Sequence, residues 1–232
     1  MKGKVVVITG GAKGIGKAIA DEFLNLGAYV CIIDKEENDY FVGDISDEKA
    51  LIDFTRKVIS DYGKVDVLVN NACLSKGGVF DCSFDDFNYV LRTGITAPFY
   101  LSKLFMNHFS EGSSIINISS TRDRMSQPNT ESYTSAKGGI SALTHALAIS
   151  LAGKVRVNSI SPGWIVTTQG EFSKEDHLQH PVGRIGRPED VVNMVMFLCS
   201  DKASFITGEN FTLDGGMTKL MIYNSDNGWS YK

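Results

Sequence analysis

Short runs of β-branched and other apolar residues alternate along this chain with longer segments of helical periodicity. Such runs are typical of strands buried in a parallel sheet. We predict strands at Lys4–Thr9, Ala28–Ile33, Tyr40–Asp44, Val65–Val69, Ser113–Ser120, Val155–Ser161 and Glu209–Leu213. Helices are predicted at Ile15–Leu26, from a cap at Ser46 or Asp47 to Tyr62, at Ser83–Phe109 with an interruption around Gly94 and Pro98, at Ser132–Ala152 and at Pro188–Cys199. This alternation predicts an α/β fold with a doubly wound parallel sheet in a single domain.

One connection in this pattern is too short for a crossover helix. Only the charged, turn-like segment Lys35–Asp39 separates the second predicted strand from the third, and a crossover between parallel strands needs about a dozen residues or more. We therefore expect the helix of this unit to be vestigial or absent. Residues 1–218 are predicted to form the domain. Residues 219–232 are predicted to be a C-terminal tail with scattered aromatic side chains, which either docks on a neighbouring subunit or is loose.

Composition and charge exclude several classes of protein. The chain of 232 residues has a formal net charge of -4 and scattered basic residues, so we expect no binding to nucleic acid. The apolar run after Met1 is too short for a signal peptide, and no stretch approaches the length of a membrane span. The four cysteines have no Cys-x2-Cys spacing, which indicates neither a zinc site nor a disulfide framework. We expect a cytoplasmic protein without a metal.

The first predicted strand leads directly into a glycine-rich segment, residues 9–16. Glycines at positions 10, 14 and 16 permit a tight turn and a close approach to a pyrophosphate, whose charge the amides of the following helix favour. A glycine-rich loop alone is weak evidence. Here it lies between a strand and a helix, and the next strand ends at Asp34, eighteen residues past Gly16. That is the context of the dinucleotide-binding fingerprint, in which Asp34 would accept the hydroxyls of the adenosine ribose.

Asp34 also bears on the choice of coenzyme. Its carboxylate would repel a 2′-phosphate, so NAD is favoured over NADP, although Lys13 and Lys35 could supply opposing positive charge. The alternative is that Asp34 is a simple turn residue.

Tyr133 and Lys137 are four residues apart in a segment that we predict to be helical, so both side chains lie on one face, one turn apart. A free phenol ionises near pH ~10, too high for proton transfer at neutrality. At about 4 Å and an effective dielectric of about 20, an ammonium attracts the phenolate by roughly 4 kcal/mol. The phenol could then exchange a proton with an alcohol or carbonyl oxygen. A lone Tyr-x3-Lys is more often a surface tyrosine beside a solvated lysine. The other motifs of the chain therefore determine whether this pair is interpreted as catalytic.

Two predicted helical segments, 99–106 and 140–151, are apolar nearly all the way round. A sheet covers only one side of a helix, so we expect the outer surfaces to meet a symmetry mate in a homodimer or homotetramer. The alternative is that alanine-rich outer faces are exposed good helix formers. Between Thr168 and Pro181 the composition is polar and suits a mobile flap.

Taken together, the motifs resemble those of the short-chain dehydrogenase/reductase family. They are Thr9-Gly10-x3-Gly14-x-Gly16, Asn70-Asn71-Ala72, Ser120, Tyr133, Lys137, Pro162-Gly163 and Asp214-Gly215-Gly216. The resemblance covers essentially the whole chain up to Thr218. It implies a single Rossmann domain for NAD(P)-dependent oxidoreduction of alcohols and carbonyls, residues 1–218 being both dinucleotide-binding and catalytic, and it implies assembly as a homotetramer.

The resemblance also implies a role for each matching residue. Tyr133 would be the general acid/base, Lys137 would promote its ionisation and hold the nicotinamide ribose, and Ser120 would hydrogen-bond the substrate oxygen. The coenzyme-binding residues would be Gly10, Gly14, Ile15 and Gly16 at the pyrophosphate with Lys13 beside them, Asp34 at the ribose, Asp44 and Ile45 at the adenine, Asn71 and Ala72 on the adenosine side, and Pro162, Ile165 and Thr167 at the nicotinamide carboxamide.

Three departures from the family pattern stand out. Gly94 occupies the place of an asparagine that usually kinks its helix and holds a water for proton relay to the lysine, so the relay would be rerouted. Cys73 follows Asn-Asn-Ala where glycine is usual, and we interpret it as a small buried residue rather than a redox sensor. The Lys35–Tyr40 link and the flap are short, which implies a shallow roof over the substrate.

These inferences predict an enzyme that interconverts a secondary alcohol and a ketone with NAD or NADP. Because of Gly94, a protein of another class, an NAD(H)-binding sensor or scaffold with little or no turnover, remains the alternative. An epimerase is disfavoured because the chain lacks a substrate domain. The loops at Arg122–Met125 and Ser75–Gly77 should rim the substrate pocket, and their charges indicate a polar or acidic substrate.

Overall fold

Seven parallel strands form one sheet in the order β3-β2-β1-β4-β5-β6-β7 in the computed structural model, which describes residues 1–226. The strands are β1 Val5–Thr9, β2 Tyr29–Asp34, β3 Phe41–Val42, β4 Val65–Asn70, β5 Phe109–Ile118, β6 Val155–Pro162 and β7 Asn210–Leu213. The predicted doubly wound parallel sheet is therefore confirmed. The strand order reverses between β1 and β4, and ligands of such sheets bind beyond the carboxyl ends of the strands at this point.

Helices cover both faces of the sheet. They are α1 Gly14–Asn25, α2 Glu48–Tyr62, α3 Phe84–Leu91, α4 Ala97–Phe105, α5 Glu131–Ser150, α6 Lys174–Leu178 and α7 Pro188–Leu198. Apolar side chains of α2, α4 and α5 pack on one face, around Phe54 and Phe105. Those of α1 and α7 pack on the other, around Phe23 and Val195. Both faces of the central strands are thus buried, as their continuous apolar runs predict.

The link between β2 and β3 contains no helix, as expected from its length. Phe41 pairs with Ile33 and Val42 with Asp34, so β3 adds only two residues to the edge of the sheet. The side chain of Asn38 holds the link in place: its amide donates to the Phe41 carbonyl at 3.0 Å, and its oxygen accepts from the Tyr40 and Phe41 amides at 3.0 and 2.9 Å. Because β3 pairs with β2 through only two residues, the chain has to travel back only a short distance before it enters β3. No crossover helix is therefore required.

The prediction that the third helix continues to Phe109 is wrong. Helix α4 ends at Phe105, and Phe109 begins β5. The two rings pack against each other with centroids 6.4 Å apart. Their spacing of four residues mimics one apolar face of a continuous helix, which explains the error.

The interruption predicted around Gly94 and Pro98 is present as a π-helical turn at Arg92–Thr96. Pro98 itself lies in the first turn of α4, where proline is tolerated.

The polar segment predicted as a flap carries the short helix α6, capped by Ser173. On the outer faces of α4 and α5, Phe99 and Ile149 are exposed in the single chain. Tyr223 of the tail is exposed as well, whereas Trp229 and Tyr231 lie outside the described residues. Within residues 1–226, no helix combines the length and apolar character needed to cross a bilayer.

Candidate active site

The glycine-rich turn packs tightly against the end of β4. Gly10 has φ +70°, and a Cβ atom on Gly16 would lie only 2.0 Å from the Gly10 carbonyl oxygen. The Asn71 side-chain amide donates to the carbonyls of Thr9 and Gly10 at 3.1 and 2.9 Å. The Thr9 hydroxyl accepts from the backbone amides of Asn71 and Ala72 at 3.0 and 3.1 Å. Any side chain at position 16 would break this arrangement, and Thr9 is a positioning residue that the sequence did not reveal.

Asp34 lies at the end of β2, as expected, and is only 9% exposed. Its carboxylate accepts from the backbone amides of Ala12 and Glu36, both at 3.0 Å. Lys13 does not face Asp34 as a free cation, because its ammonium pairs with the Glu36 carboxylate at 2.9 Å. The end of β2, where we expect the ribose, therefore carries the fixed Asp34 carboxylate and a second carboxylate, Glu36, that is paired with Lys13.

Asp44 follows β3 and faces the same cleft. Burial disfavours its charged form, but hydrogen bonds from Ser46 and Tyr89 outweigh that effect and hold the pKa of the Asp44 carboxyl below its usual range. The Tyr89 hydroxyl donates to it at 2.7 Å. Tyr89 thus holds the carboxylate expected at the adenine, a role that its position in α3 did not predict.

The predicted coenzyme residues line a cleft of about 360 Å³ at the reversal of strand order. Those on its wall are Gly10, Lys13, Ile15, Asp34, Asp44, Ile45, Asn71, Ala72 and Thr167. Gly14 lies opposite Thr167, since a Cβ on Gly14 would be 3.6 Å from the threonine methyl group. Pro162 and Ile165 line an adjoining cleft, which shares Ile15, Asn71 and Cys73 with the first.

Tyr133, Lys137 and Ser120 all line that adjoining cleft. The Lys137 ammonium lies 5.4 Å from the centroid of the Tyr133 ring and is 4% exposed. It donates to the Ile118 carbonyl at 2.7 Å, which ties the amine to the end of β5. An ammonium has three donors, so two remain for other partners. The Ser120 hydroxyl accepts from the Arg122 amide at 3.2 Å, which fixes the start of the turn that follows β5.

Gly94 is buried against small neighbours. A Cβ atom there would lie 2.8 Å from the Ala136 methyl group and 3.2 Å from Cys73 Sγ. In the π-helical turn, the Ala97 amide bonds the Arg92 carbonyl, and Pro98 has no N–H for the Gly94 carbonyl four residues earlier. The break in the helix therefore forms without an asparagine, from backbone hydrogen bonding and a proline.

A network of buried polar side chains lies beneath Ser120 and was not predicted. The carboxylate of Asp123, with a side chain 5% exposed, accepts from the hydroxyls of Ser141 and Ser161 at 3.1 Å and from the Asn210 amide at 2.5 Å. Arg124 pairs with it at 2.8 Å. Burial opposes the charge, but Arg124, Asn210 and Ser141 hold the pKa of the Asp123 carboxyl below its usual range. The network joins the turn after β5 to α5, β6 and β7.

A cavity of about 1020 Å³ opens on the other side of Tyr133. It shares Ser120, Tyr133 and Gly163 with the cleft of Lys137. Its other lining residues are Ser75, Thr121, Arg122, Met125, Ser126, Gln127, Thr130, Trp164, Gln179, Met217, Leu220 and Ile222. The loops Arg122–Met125 and Ser75–Gly77 line this cavity, as predicted, but most of their charged side chains do not face it.

Only Arg122 of those charged loop residues lines the cavity. Asp123 points into the buried network, Arg124 pairs with it, and Lys76 lies 3.4 Å from Asp86. The charges of the two loops indicated a polar or acidic substrate, and Arg122 is the one of them that faces the cavity.

The two joined clefts fit a nicotinamide dinucleotide. The glycine turn leaves room that a Cβ would fill, the N-terminus of α1 faces it, and a carboxylate ends β2. Among residues 1–226, no group of three or more His, Cys, Asp or Glu side chains could hold a metal ion. All four cysteines are free.

Comparison with known proteins agrees with this geometry. The family model described as enoyl-(acyl carrier protein) reductase matches residues 10–218. An uncharacterized oxidoreductase of Thermotoga maritima is 41% identical over 255 residues, covering 96% of this chain and 99% of the relative. The structure of an apo SCOR enzyme from Clostridium thermocellum is 44% identical, has a TM-score of 0.92 and covers 100% of this chain and 99% of its own.

A third similar protein is the 3-ketoacyl-(acyl-carrier-protein) reductase of Brucella melitensis, solved in complex with NADH. It is 29% identical, with a TM-score of 0.84, and the match covers 94% of this chain and 99% of that one. The motifs, the sheet and these similarities lead to one conclusion: the chain belongs to the short-chain dehydrogenase/reductase family and is an oxidoreductase.

Proposed function

We propose that this oxidoreductase interconverts a secondary alcohol and a ketone, with NAD as the preferred coenzyme and Tyr133 as the acid/base. The observation that carries the proposal is the continuity of the two clefts through Tyr133. Tyr133 and Ser120 line both the cavity of about 1020 Å³ and the cleft that contains Lys137. One phenol thus reaches both a substrate cavity and the coenzyme side of the site.

Each side chain has a defined task in this proposal. Tyr133 gives a proton to the carbonyl oxygen during reduction and takes it from the hydroxyl during oxidation. The Lys137 ammonium keeps two donors for ribose hydroxyls after bonding the Ile118 carbonyl. The Ser120 hydroxyl donates to the substrate oxygen, which orients it and stabilises developing negative charge. A bound nicotinamide ring supplies the hydride acceptor or donor.

The preference for NAD rests on charge. Asp34 is fixed by two backbone amides, and Glu36 holds the Lys13 ammonium that would otherwise face a 2′-phosphate. A phosphate here would meet two carboxylates and one lysine of the cleft wall, Lys35, because Lys13 is paired with Glu36. The Brucella melitensis reductase complexed with NADH supports a nicotinamide coenzyme and a ketone substrate for this site.

The test is Tyr133→Phe, assayed for NAD-dependent oxidation of a broad panel of secondary alcohols and for binding of NADH by fluorescence titration. We expect turnover to fall by about 10²- to 10⁴-fold while NADH binding persists. Tyr29→Phe, at the amino end of β2 and 53% exposed, is the matched control and should retain full activity.

Undiminished turnover by Tyr133→Phe would refute the assignment of the acid/base. If the unaltered protein bound NADH but turned over no member of the panel, a coenzyme-binding sensor or scaffold would replace the enzyme.

A further inference from the structure

Arg122 is the one formally charged side chain among the residues that line the substrate cavity within the described part of the chain. The remaining lining side chains are hydroxyl, amide, apolar or aromatic, apart from the Tyr133 phenol. A half-buried guanidinium in such a wall carries a charge that the cavity itself does not balance.

No carboxylate among residues 1–226 lies within 4.0 Å of a nitrogen of the Arg122 guanidinium. Its recorded side-chain partner is the neutral Gln127 carbonyl oxygen, which receives a hydrogen bond from Nη2. Gln127 also lines the cavity. The amide holds the guanidinium against the wall without neutralising it, and most of its five N–H donors stay available.

Three acidic residues of the surrounding turns and helices have partners of their own. The buried Asp123 carboxylate accepts from the Asn210 amide. Asp86 pairs with Lys76, and the Glu131 carboxylate accepts from the Val79 amide at 3.2 Å. Each of these three carboxylates therefore already has a partner other than Arg122.

Arg122 is also close to the reacting groups. It follows Ser120 by two residues, a span of at most about 7 Å between Cα atoms, and its amide donates to the Ser120 hydroxyl at 3.2 Å. A group held by the guanidinium would belong to the same small molecule as an oxygen held by Ser120 and Tyr133. The hydroxyl and amide side chains of Ser75 and Gln179 line the same cavity and suit further polar atoms.

We propose that the substrate carries an anionic group, a carboxylate or a phosphate, which Arg122 binds while Ser120 and Tyr133 hold the reacting oxygen. Guanidinium matches both oxyanions in bidentate geometry. The substrate class is then a hydroxy acid or a phosphorylated polyol and its keto counterpart. This inference rests on the proposed function of the same site.

The experiment compares matched substrates at saturating NAD. The pairs are 2-butanol with 3-hydroxybutyrate, for a carboxylate, and glycerol with glycerol 1-phosphate, for a phosphate. We expect kcat/KM for the anionic member of at least one pair to exceed that of its neutral member tenfold or more, and the pair concerned identifies the oxyanion. Arg122→Gln should remove the preference through KM, and Arg122→Lys should restore part of it.

Arg56→Gln is the control for net charge, because Arg56 is exposed on α2 and pairs only loosely with Asp53 at 3.6 Å. It should leave the preference unchanged. A second readout does not need turnover: calorimetric titration of NADH-loaded Tyr133→Phe with 3-hydroxybutyrate or glycerol 1-phosphate should show binding that a further Arg122→Gln change weakens tenfold or more.

Three results would overturn the inference. Equal use of neutral and anionic members by the unaltered enzyme, or an unchanged preference in Arg122→Gln, would refute the anion site while leaving the proposed oxidoreductase standing. NADH binding without turnover of any member or of the wider panel would refute the proposed function and this inference with it.

Discussion

Cys73 Sγ lies 3.2 Å from the point that a Cβ atom would occupy on Gly94. The family pattern has a small residue at the first position and a larger one at the second, and this chain has the reverse. The sulfur and the Ala136 methyl group together fill the space in which a side chain at position 94 would lie. The neighbours of Gly94 thus fill the space that the side chain of the usual asparagine would need.

This packing predicts the effect of enlarging residue 94. Gly94→Ala should lower the free energy of unfolding by about 1–3 kcal/mol, because overpacking forces neighbours to shift. Gly94→Asn should lower the free energy of unfolding by more than Gly94→Ala does. Urea unfolding measures both.

Combining Gly94→Ala with Ala136→Gly supplies the control, since the second change removes the methyl group that lies 2.8 Å from the new Cβ. The double variant should lose less free energy of unfolding than the sum of the losses in the two single variants. Strict additivity would show that residue 94 does not press on α5.

The buried network under Ser120 predicts that Asp123→Asn is destabilising. The amide cannot accept all the hydrogen bonds that the carboxylate now receives, and each such bond to a charged group is worth about 1.5–3 kcal/mol. We expect kcat to fall more than NADH affinity, because the turn that presents Ser120 loses its anchor. Arg124→Gln, at an arginine side chain 43% exposed, should have a much smaller effect.

The same carboxylate predicts a dependence of stability on pH. The pKa of Asp123 is lower in the folded chain than in the unfolded one, where an aspartate titrates near about 3.9. Its contribution is therefore complete above that value and is lost as the pH falls toward the folded pKa. Thermal unfolding between pH 6 and pH 2.5 should show a steeper acid loss for the unaltered protein than for Asp123→Asn; parallel curves would contradict the linkage.

Coenzyme choice should respond to the two carboxylates at the ribose end. Asp34→Ser should improve NADPH affinity relative to NADH by tenfold or more, since roughly 4 kcal/mol of repulsion acts between unit charges at about 4 Å and an effective dielectric of about 20. Glu36→Gln should also favour NADPH by releasing Lys13. Fluorescence titration with both coenzymes measures the ratio, and Glu37→Gln, an exposed residue of the same link, is the matched control.

Thiol labelling should distinguish the cysteines. Burial raises the pKa of Cys31 to about 11 and that of Cys199 to about 12, so both should resist alkylation in the folded protein. Cys73 lines both clefts and should react with iodoacetamide, as should Cys82. Saturating NADH should protect Cys73 and leave Cys82 reactive. Equal labelling of Cys73 with and without coenzyme would argue against the assigned cleft.

The sequence predicted the sheet and most element boundaries because apolar periodicity and glycine stops are local signals. Helix α2 ends at Tyr62, as predicted, and Gly63 follows it with φ +72°. The carboxylate of Asp123 was not predicted to organise the site, because its partners Ser141, Ser161 and Asn210 are 18, 38 and 87 residues away along the chain. No periodicity encodes such contacts.

The direction of loop side chains escaped prediction for the same reason. Lys76 and Arg122 look alike in sequence, yet one meets an aspartate of α3 and the other faces the substrate cavity. Which of two cations stays unpaired depends on how separate loops meet, and that is decided only when the sheet has assembled.

The two-residue strand β3 forms the edge of the sheet beside the cleft that we assign to the adenosine half of the coenzyme. It holds the segment 35–43 to the sheet through two residue pairs and the side chain of Asn38. If β3 detached, the other six strands would stay paired with one another. We therefore expect that local opening of this edge is enough to exchange a coenzyme bound beside it. Turnover limited by coenzyme exchange would then be tuned by substitutions at Asn38, far from any group that handles a proton.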